Sequence, residues 1–375
     1  MKFRFELIHQ SKKSRARVGR IHTPHGIIDT PNFVAVGTNG TLKALDNRMV
    51  DSIGLQLMFC NTYHLLLQPG PEVVSRAGGL HRFINRQMPI ITDSGGFQVF
   101  SLAYGSVADE LKSRGAKKRD GHVLKINEEG VVFRSYRDGT KILLTPETSV
   151  QTQKALGADI IIPLDELPPY HIGAEKLKES LDRTHRWEKR SLEEHLKNVQ
   201  NQAMYAVIHG GVAPELRMES CEFLKNLPFD GFAIGGSLGK TKPEMFSMLS
   251  GLLPRLPEEK PNHLLGIGDL ESLEQCIPLG IDTFDSSYPT RAARHGFLLT
   301  NEGGIKVEKA DNANHFAPIE RECSCWTCQH YTLAYLHHLF KANELTAYTL
   351  ASVHNLHFMV ELMKRYRQSI LDDLV

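Results

Sequence analysis

The chain has 375 residues, 41% hydrophobic and 23% charged, with a formal net charge of +1. That is the make-up of an ordinary globular protein, long enough for one large core such as an α/β barrel with insertions, or for two medium domains. The start Met1-Lys2-Phe3-Arg4-Phe5 lacks the apolar stretch of a signal peptide and no later run is apolar enough to cross a bilayer, so a cytoplasmic protein with no membrane partner is expected.

Residues 1 to 30, turning at Thr23-Pro24-His25-Gly26, predict an N-terminal antiparallel sheet. Short apolar segments then recur at Asn32 to Val36, Leu55 to Cys60, Ile90 to Thr92, Asp159 to Leu164, Met204 to Ile208, Gly231 to Ile234, His263 to Leu265 and Ile281 to Phe284. Helix-like stretches separate most of them, for example Glu175 to Lys197, Pro214 to Leu227 and Pro243 to Leu253. Strand and helix alternating in this way predict an α/β fold, a (β/α)8 TIM barrel over residues 31 to 300 that carries the catalytic site. The barrel is interrupted between 122 and 144 by an inserted β-meander, alternating around Glu128-Glu129-Gly130 and Arg137-Asp138-Gly139. Just before it, Lys112-Ser113-Arg114-Gly115-Ala116-Lys117-Lys118-Arg119 offers a basic patch that suits phosphate and equally suits a solvated loop. Residues 301 to 375 predict a zinc-binding subdomain with a helical tail over Tyr331 to Asp373.

A barrel gathers its chemistry at the C-terminal strand ends. Here those ends read Asn61-Thr62-Tyr63-His64, Asp93-Ser94-Gly95-Gly96, Asp165-Glu166, His209-Gly210-Gly211, Gly235-Gly236, Gly266-Ile267-Gly268 and Asp285-Ser286-Ser287. Asp93 is expected to face the mouth above a backbone nest of Ser94, Gly95 and Gly96 that could hold an anion. Asp285 ends the last strand in the same way. Two carboxylates at one mouth suit glycosidic-bond chemistry, one attacking the anomeric carbon and the other moving the proton, although either aspartate alone reads as a strand-end hydrogen bond or helix cap. Phe97 offers a flat face for a planar heterocycle, and Asp165 could accept hydrogen bonds from a purine-like edge. Arg291 and Arg294, in Tyr288-Pro289-Thr290-Arg291-Ala292-Ala293-Arg294, could grip phosphates or base edges.

Of the six cysteines, Cys323, Cys325 and Cys328 fall inside Cys323-Ser324-Cys325-Trp326-Thr327-Cys328. Three thiolates from one turn and an imidazole from outside make a closed tetrahedral zinc site, which is structural. His354 is a candidate fourth ligand, with His330, His337, His338 and His357 also near in sequence.

Four of these motifs together, Asp93-Ser94-Gly95-Gly96-Phe97-Gln98, Gly231-Phe232-Ala233-Ile234-Gly235-Gly236, Phe284-Asp285 with Pro289-Thr290-Arg291, and the Cys-x-Cys-x-x-Cys tail with its histidine, resemble tRNA-guanine transglycosylases over nearly the whole chain and in order. The resemblance implies a zinc-bearing (β/α)8 enzyme, a homodimer, that exchanges the wobble guanine of tRNA with a G-U-N anticodon for a free 7-deazaguanine base. It implies Asp285 as nucleophile, Asp93 as general acid/base, and Phe97 stacked on the base. Asp165, His209 and Gly236 would read the base's edges, with Ser94, Gly95, Gly96 and Gly239 lining its pocket. Arg291 and Arg294 would lie at the anticodon, and Cys323, Cys325, Cys328 and His354 would bind structural Zn²⁺.

Departures from the family pattern bear on which base enters. His209 stands where the family usually has Gln, Leu167 and Gly239 replace a common bacterial Cys and Val, and Ser237 replaces Leu. Lys240 and Thr241 occupy the place where an acidic residue is usual. A glycine at 239 suggests room for the bulky base queuine beside 7-aminomethyl-7-deazaguanine. Competing readings are a non-catalytic tRNA-binding partner subunit, which need not keep both Asp93 and Asp285, and a zinc hydrolase, which needs an open metal site.

Overall fold

The computed structural model describes residues 2–104 and 123–375, so the basic run at 112–119 lies outside the described residues. Sixteen strands are described, and eight of them close a parallel barrel. A three-stranded antiparallel sheet comes first, β1 (Arg4–Gln10), β2 (Arg17–Thr23) and β3 (Gly26–Thr30). The barrel strands follow: β4 (Asn32–Val36), β5 (Met58–Cys60), β6 (Ile90–Thr92), then, beyond the antiparallel β7 (Val123–Ile126), β8 (Val131–Arg134) and β9 (Lys141–Leu144), β10 (Ile160–Ile161), β11 (Ala203–Ile208), β12 (Gly231–Ile234), β13 (Asn262–Leu264) and β14 (Thr283–Ser286). Each is hydrogen-bonded to the next, β14 closes onto β4, and β10 pairs with β6 across the inserted meander. All eight apolar segments read from the sequence are barrel strands.

Every barrel strand is buried because it faces side chains inside the barrel and helices outside, which is why these segments read as continuous apolar runs. Inside, Val34, Phe59, Ile91, Ile160, Val207 and Ala233 pack together, and Ile21 and Ile28 of the N-terminal sheet join the same cluster. That sheet therefore plugs the end of the barrel at which the strands begin. Polar clasps hold it there. Arg17 donates from Nε and Nη2 to Asp282 at 2.9 and 2.6 Å, just before β14. Asp159, just before β10, lies 2.8 Å from His25 Nδ1 and 3.1 Å from His81 Nε2. Burial opposes ionisation of Asp159, but the bonds from His25 and His81 outweigh it and hold the carboxyl well below its usual range.

The C-terminal region adds the hairpin β15 (Phe297–Thr300) and β16 (Gly303–Lys306), then the helices Trp326–His330, Leu333–Lys341 and Leu345–Leu371. The helical tail is thus two helices broken at 342–344, where Asn343 takes φ 56°. The long helix is shared between two cores. Its Ala347, Leu350 and Ala351 pack with Cys325 and Cys328, whereas Leu356, Met359, Met363 and Ile370 join the barrel's outer core with Phe33 and Phe284.

One buried acid stands out. Glu188, on the helix Ala174–Lys197, is fully buried; Oε2 accepts from the Val207 N–H at 3.2 Å and Oε1 has no partner among the described residues. Burial pushes its carboxyl well above the usual range. The folded state therefore keeps this proton to higher pH than the unfolded chain, and stability falls as pH rises through the unfolded value toward the folded one. Glu188→Gln, which cannot ionise, is expected to match the parent near pH 4. Above that, thermal melts should show it gaining up to about 1.4 kcal/mol per pH unit until the folded value is reached. Equal melting curves at pH 7.5 would contradict this.

Candidate active site

The C-terminal ends of the strands open into a cavity of about 470 Å³ lined by Asp93, Asp165 and Asp285 together with Asn61, Phe97, Gln98, Gly236 and Arg291. Three carboxylates from three strands share one hollow. Each is held by donors on a neighbouring strand end or on its own loop.

Asp93, after β6, has both oxygens occupied. Asn61 Nδ2 donates at 2.7 Å and the Thr62 N–H at 2.8 Å, both from the end of β5, while Gln98 Nε2 donates at 2.9 Å and the Gly95 N–H at 3.2 Å. Burial pushes its carboxyl up, and the bonds from Asn61, Gln98, Thr62 and Gly95 offset that only in part. Asp93 thus holds a proton more readily than an ordinary aspartate. The anion-holding nest expected here is absent among the described residues: the Gly95 N–H turns back to Asp93, and the Gly96 N–H donates to Ser94 Oγ at 3.2 Å. A two-residue side-chain turn consumes the donors that a free nest would present.

Asp285, in β14, is 6% exposed. Its Oδ1 accepts from the Gly266 N–H at 2.7 Å and lies 3.0 Å from His263 Nε2 in β13. Oδ2 has no hydrogen-bond partner among the described residues. One oxygen is anchored and the other faces the cavity. Asp165 bonds sideways too, through Oδ2 to His209 Nε2 at 2.6 Å and through Oδ1 from Ser94 Oγ at 3.2 Å. A carboxylate oxygen only accepts, so His209 Nε2 carries the hydrogen and its donor is spent on Asp165 rather than on a ligand. Phe97, in the first turn of the helix Gly96–Tyr104, is 49% exposed on the cavity wall, as a stacking platform requires.

The strand ends after β11 and β12 are joined by a group that the sequence did not single out. Arg217 is fully buried and donates to the carbonyls of Ile208, Gly211, Gly235 and Ser237 at 2.6–2.9 Å. No carboxylate pairs with it among the described residues, and burial lowers its guanidinium to about 9. Four carbonyl dipoles replace the counter-ion. Gly236 is required by the same packing, since its φ is +76° and a Cβ there would lie 2.7 Å from His209 Nδ1.

Gly239 departs from expectation. It does not line the cavity, its φ is +117°, and a Cβ would meet Glu244 Oε2 at 2.9 Å. The glycine therefore serves the loop's conformation and Glu244, not pocket volume. Glu244, from the next helix, accepts from the Lys240 N–H at 2.6 Å and from Tyr170 OH at 3.2 Å, and it lines neither this cavity nor the neighbouring one. Extra space lies elsewhere. A second cavity of about 220 Å³ shares Pro168, Pro169 and Ser237 with the first and reaches the buried Ser180, whose hydroxyl has no partner among the described residues. Arg291 lines the main cavity, whereas Arg294 lies one turn further along the helix Tyr288–Arg294 and donates to Thr290 O at 3.0 Å.

In the C-terminal region, Cys323, Cys325 and Cys328 place their sulfurs 3.7, 3.5 and 3.4 Å from His354 Nδ1. A tetrahedral zinc with Zn–S of about 2.3 Å and Zn–N of about 2.0–2.1 Å sets each sulfur about 3.6 Å from the nitrogen, so the four atoms fit that ion. His354 Nε2 lies 2.8 Å from Leu299 O, which fixes the tautomer that leaves Nδ1 free to ligate. Three of the four neighbouring histidines are hydrogen-bonded elsewhere, His330 with Trp326 O, His337 with Val307 O and His357 with Ser324 Oγ, and the ring of His338 stacks 6.4 Å from that of Tyr335.

Residues 11–375 match the family model described as queuine tRNA-ribosyltransferase. The chain is 72% identical over 373 residues to the queuine tRNA-ribosyltransferase of Protochlamydia amoebophila, covering all of this chain and 96% of the relative. It is 56% identical to that of Chlamydia caviae and 57% to that of Chlamydia felis, with full coverage of both partners in each case.

Because the four-atom cluster ties the cysteine turn to the long C-terminal helix, and His354 Nε2 joins that helix to β15, a metal there should act on stability. Chelation or Cys325→Ser is expected to lower the melting temperature by more than about 5 °C, given that structural zinc contributes on the order of 10 kcal/mol to folding. An unchanged melting temperature in the metal-free protein would remove the cluster from the stability argument.

Proposed function

The chain belongs to the queuine tRNA-ribosyltransferase family and is a tRNA-guanine transglycosylase, and we propose that it exchanges the wobble guanine of G-U-N anticodons for a 7-deazaguanine by double displacement. In the first step Asp285 Oδ2 attacks ribose C1′, the C1′–N9 bond breaks, and guanine leaves with a proton delivered from Asp93. In the second, Asp93 takes the N9 proton of the incoming base, the base attacks C1′, and the C1′–Oδ2 bond breaks to restore the Asp285 carboxylate. Two inversions give retention, and no redox or nucleotide cofactor is consumed. The observation that carries this reading is the contrast between the two acids. Asp285 has one anchored oxygen and one open to the cavity, while burial keeps Asp93 ready to hold a proton.

Phe97 would stack on the base, with Asp165, steadied by His209, and Gly236 at its edges. Arg291 and Arg294 would meet the anticodon. Zn²⁺ held by Cys323, Cys325, Cys328 and His354 is structural in this reading and stands outside the chemistry. The protein would work in the cytoplasm as a homodimer. Supporting the dimer, Trp326, Tyr331 and Tyr335 form a ladder of rings with centroids 5.3 Å apart on the zinc subdomain, and Trp326 is half exposed. The alternative, a non-catalytic tRNA-binding partner, leaves the paired carboxylates without a purpose.

For the incoming base, the second cavity beyond Ser237 supports a bulky 7-substituent, so queuine should be used at least as well as 7-aminomethyl-7-deazaguanine.

Asp285→Asn should abolish the covalent enzyme–tRNA adduct on denaturing gels and end base exchange while tRNA binding persists, and Asp93→Asn should cut exchange by about 10²–10⁴-fold. An undiminished adduct in Asp285→Asn would remove it as nucleophile. Ser237→Leu, which narrows the passage between the cavities, should lower kcat/KM for queuine relative to the aminomethyl base by about tenfold, within the cost of overfilling a packed site. A parent enzyme that strongly prefers the aminomethyl base, with a ratio indifferent to Ser237→Leu, would overturn the bulky-base assignment.

A further inference from the structure

We infer that His263 is a positioning residue that orients the Asp285 carboxylate and supports its departure from the ribosyl ester, an inference that rests on Asp285 being the nucleophile. His263 sits in β13, fully buried, with its ring stacked on Phe59 at 6.0 Å and 21°. Both ring nitrogens are engaged by β14. Nδ1 lies 2.8 Å from Thr283 Oγ1 and Nε2 lies 3.0 Å from Asp285 Oδ1. The carboxylate oxygen only accepts, so Nε2 carries a hydrogen. The single proton of the Thr283 hydroxyl can go to Nδ1 or to Asn262 O, 3.2 Å away. Under the first arrangement the ring is neutral and under the second it is an imidazolium; Nε2–H points at Asp285 in both.

The Gly266 N–H, 2.7 Å from the same Oδ1, completes a two-donor cradle on one oxygen. This leaves Oδ2 as the oxygen that bonds carbon. Once the ester forms, Oδ1 is its carbonyl oxygen and the same two donors polarise it. When the incoming base attacks C1′ and the C1′–Oδ2 bond breaks, the electron pair returns to the carboxylate, and the charge appears on an oxygen already facing fixed donors. Such donors lower the barrier without touching tRNA, so their loss should fall on kcat rather than KM.

Two amide replacements separate this role from simple core packing. An asparagine amide reaches where Nδ1 lies and can keep Thr283, whereas a glutamine amide reaches where Nε2 lies and can keep Asp285. H263N is expected to lose about 10²-fold in kcat with KM for tRNA within about threefold of the parent, and H263Q to stay within about tenfold in kcat. Both should lower the melting temperature to a similar degree. If H263N fails to fold, H263F keeps the ring against Phe59 without a donor and should show the same loss. Equal kcat in the Asn and Gln variants, or parental kcat in H263N or H263F, would overturn the inference. Asp285→Asn, assayed in parallel, separates the two layers. If it retains exchange, the nucleophile assignment falls and this inference with it. If it is inactive while the His263 variants turn over equally, only the role of His263 falls.

Discussion

A buried carboxylate is tolerated only when donors surround it, and the three acids of this cavity meet that demand sideways, from the strand next door. Asp93 after β6 is held from the end of β5, Asp165 after β10 from the ends of β6 and β11, and Asp285 in β14 from β13. The registry of the barrel is therefore the registry of the site. Slipping any of these strands by one residue would turn its carboxylate or its donor to the other face of the sheet. Closure matters differently: the pairing of β14 with β4 brings Asp285 round to the mouth that Asp93 and Asp165 share.

The C-terminal region is coupled to this ring through consecutive residues of one helix. His354 belongs to the four-atom cluster and bonds Leu299 O, and Asn355 takes the Leu299 N–H at 2.9 Å while donating to Pro289 O at 3.0 Å and Phe297 O at 2.9 Å. Pro289 stands in the first turn of the helix Tyr288–Arg294 that follows β14. Order at the cluster thus bears on the segment carrying Asp285 and Arg291.

Arg217 shows the opposite solution to the same electrostatic problem. A buried guanidinium without a carboxylate is costly, yet its planar fork matches four carbonyls that no single uncharged side chain could collect. The return is rigidity in the two loops that carry His209 and Gly236. Beside it, the Lys240 N–H donates to Glu244 Oε2, and the missing side chain of Gly239 leaves room for that carboxylate. The loop after β12 is held from both sides, and the second cavity opens past Ser237 instead.

Much of this was legible in the residues. Apolar runs, most of them ending in a polar or glycine-rich cluster, marked all eight barrel strands, because a strand buried on both faces must be apolar. The spacing of Cys323, Cys325 and Cys328 pointed to a cluster that could hold a metal, because three thiols so close in sequence can converge without help from the fold. What only the tertiary structure decided are contacts between strand ends far apart in sequence. Asp165 captures the donor of His209, His263 turns toward Asp285, and Arg217 reaches carbonyls of two loops. Gly239 read as added space because a glycine's missing side chain carries no direction; the fold supplied it, pointing at Glu244. Periodicity and spacing describe one stretch of chain at a time, and these contacts exist only once the barrel has closed.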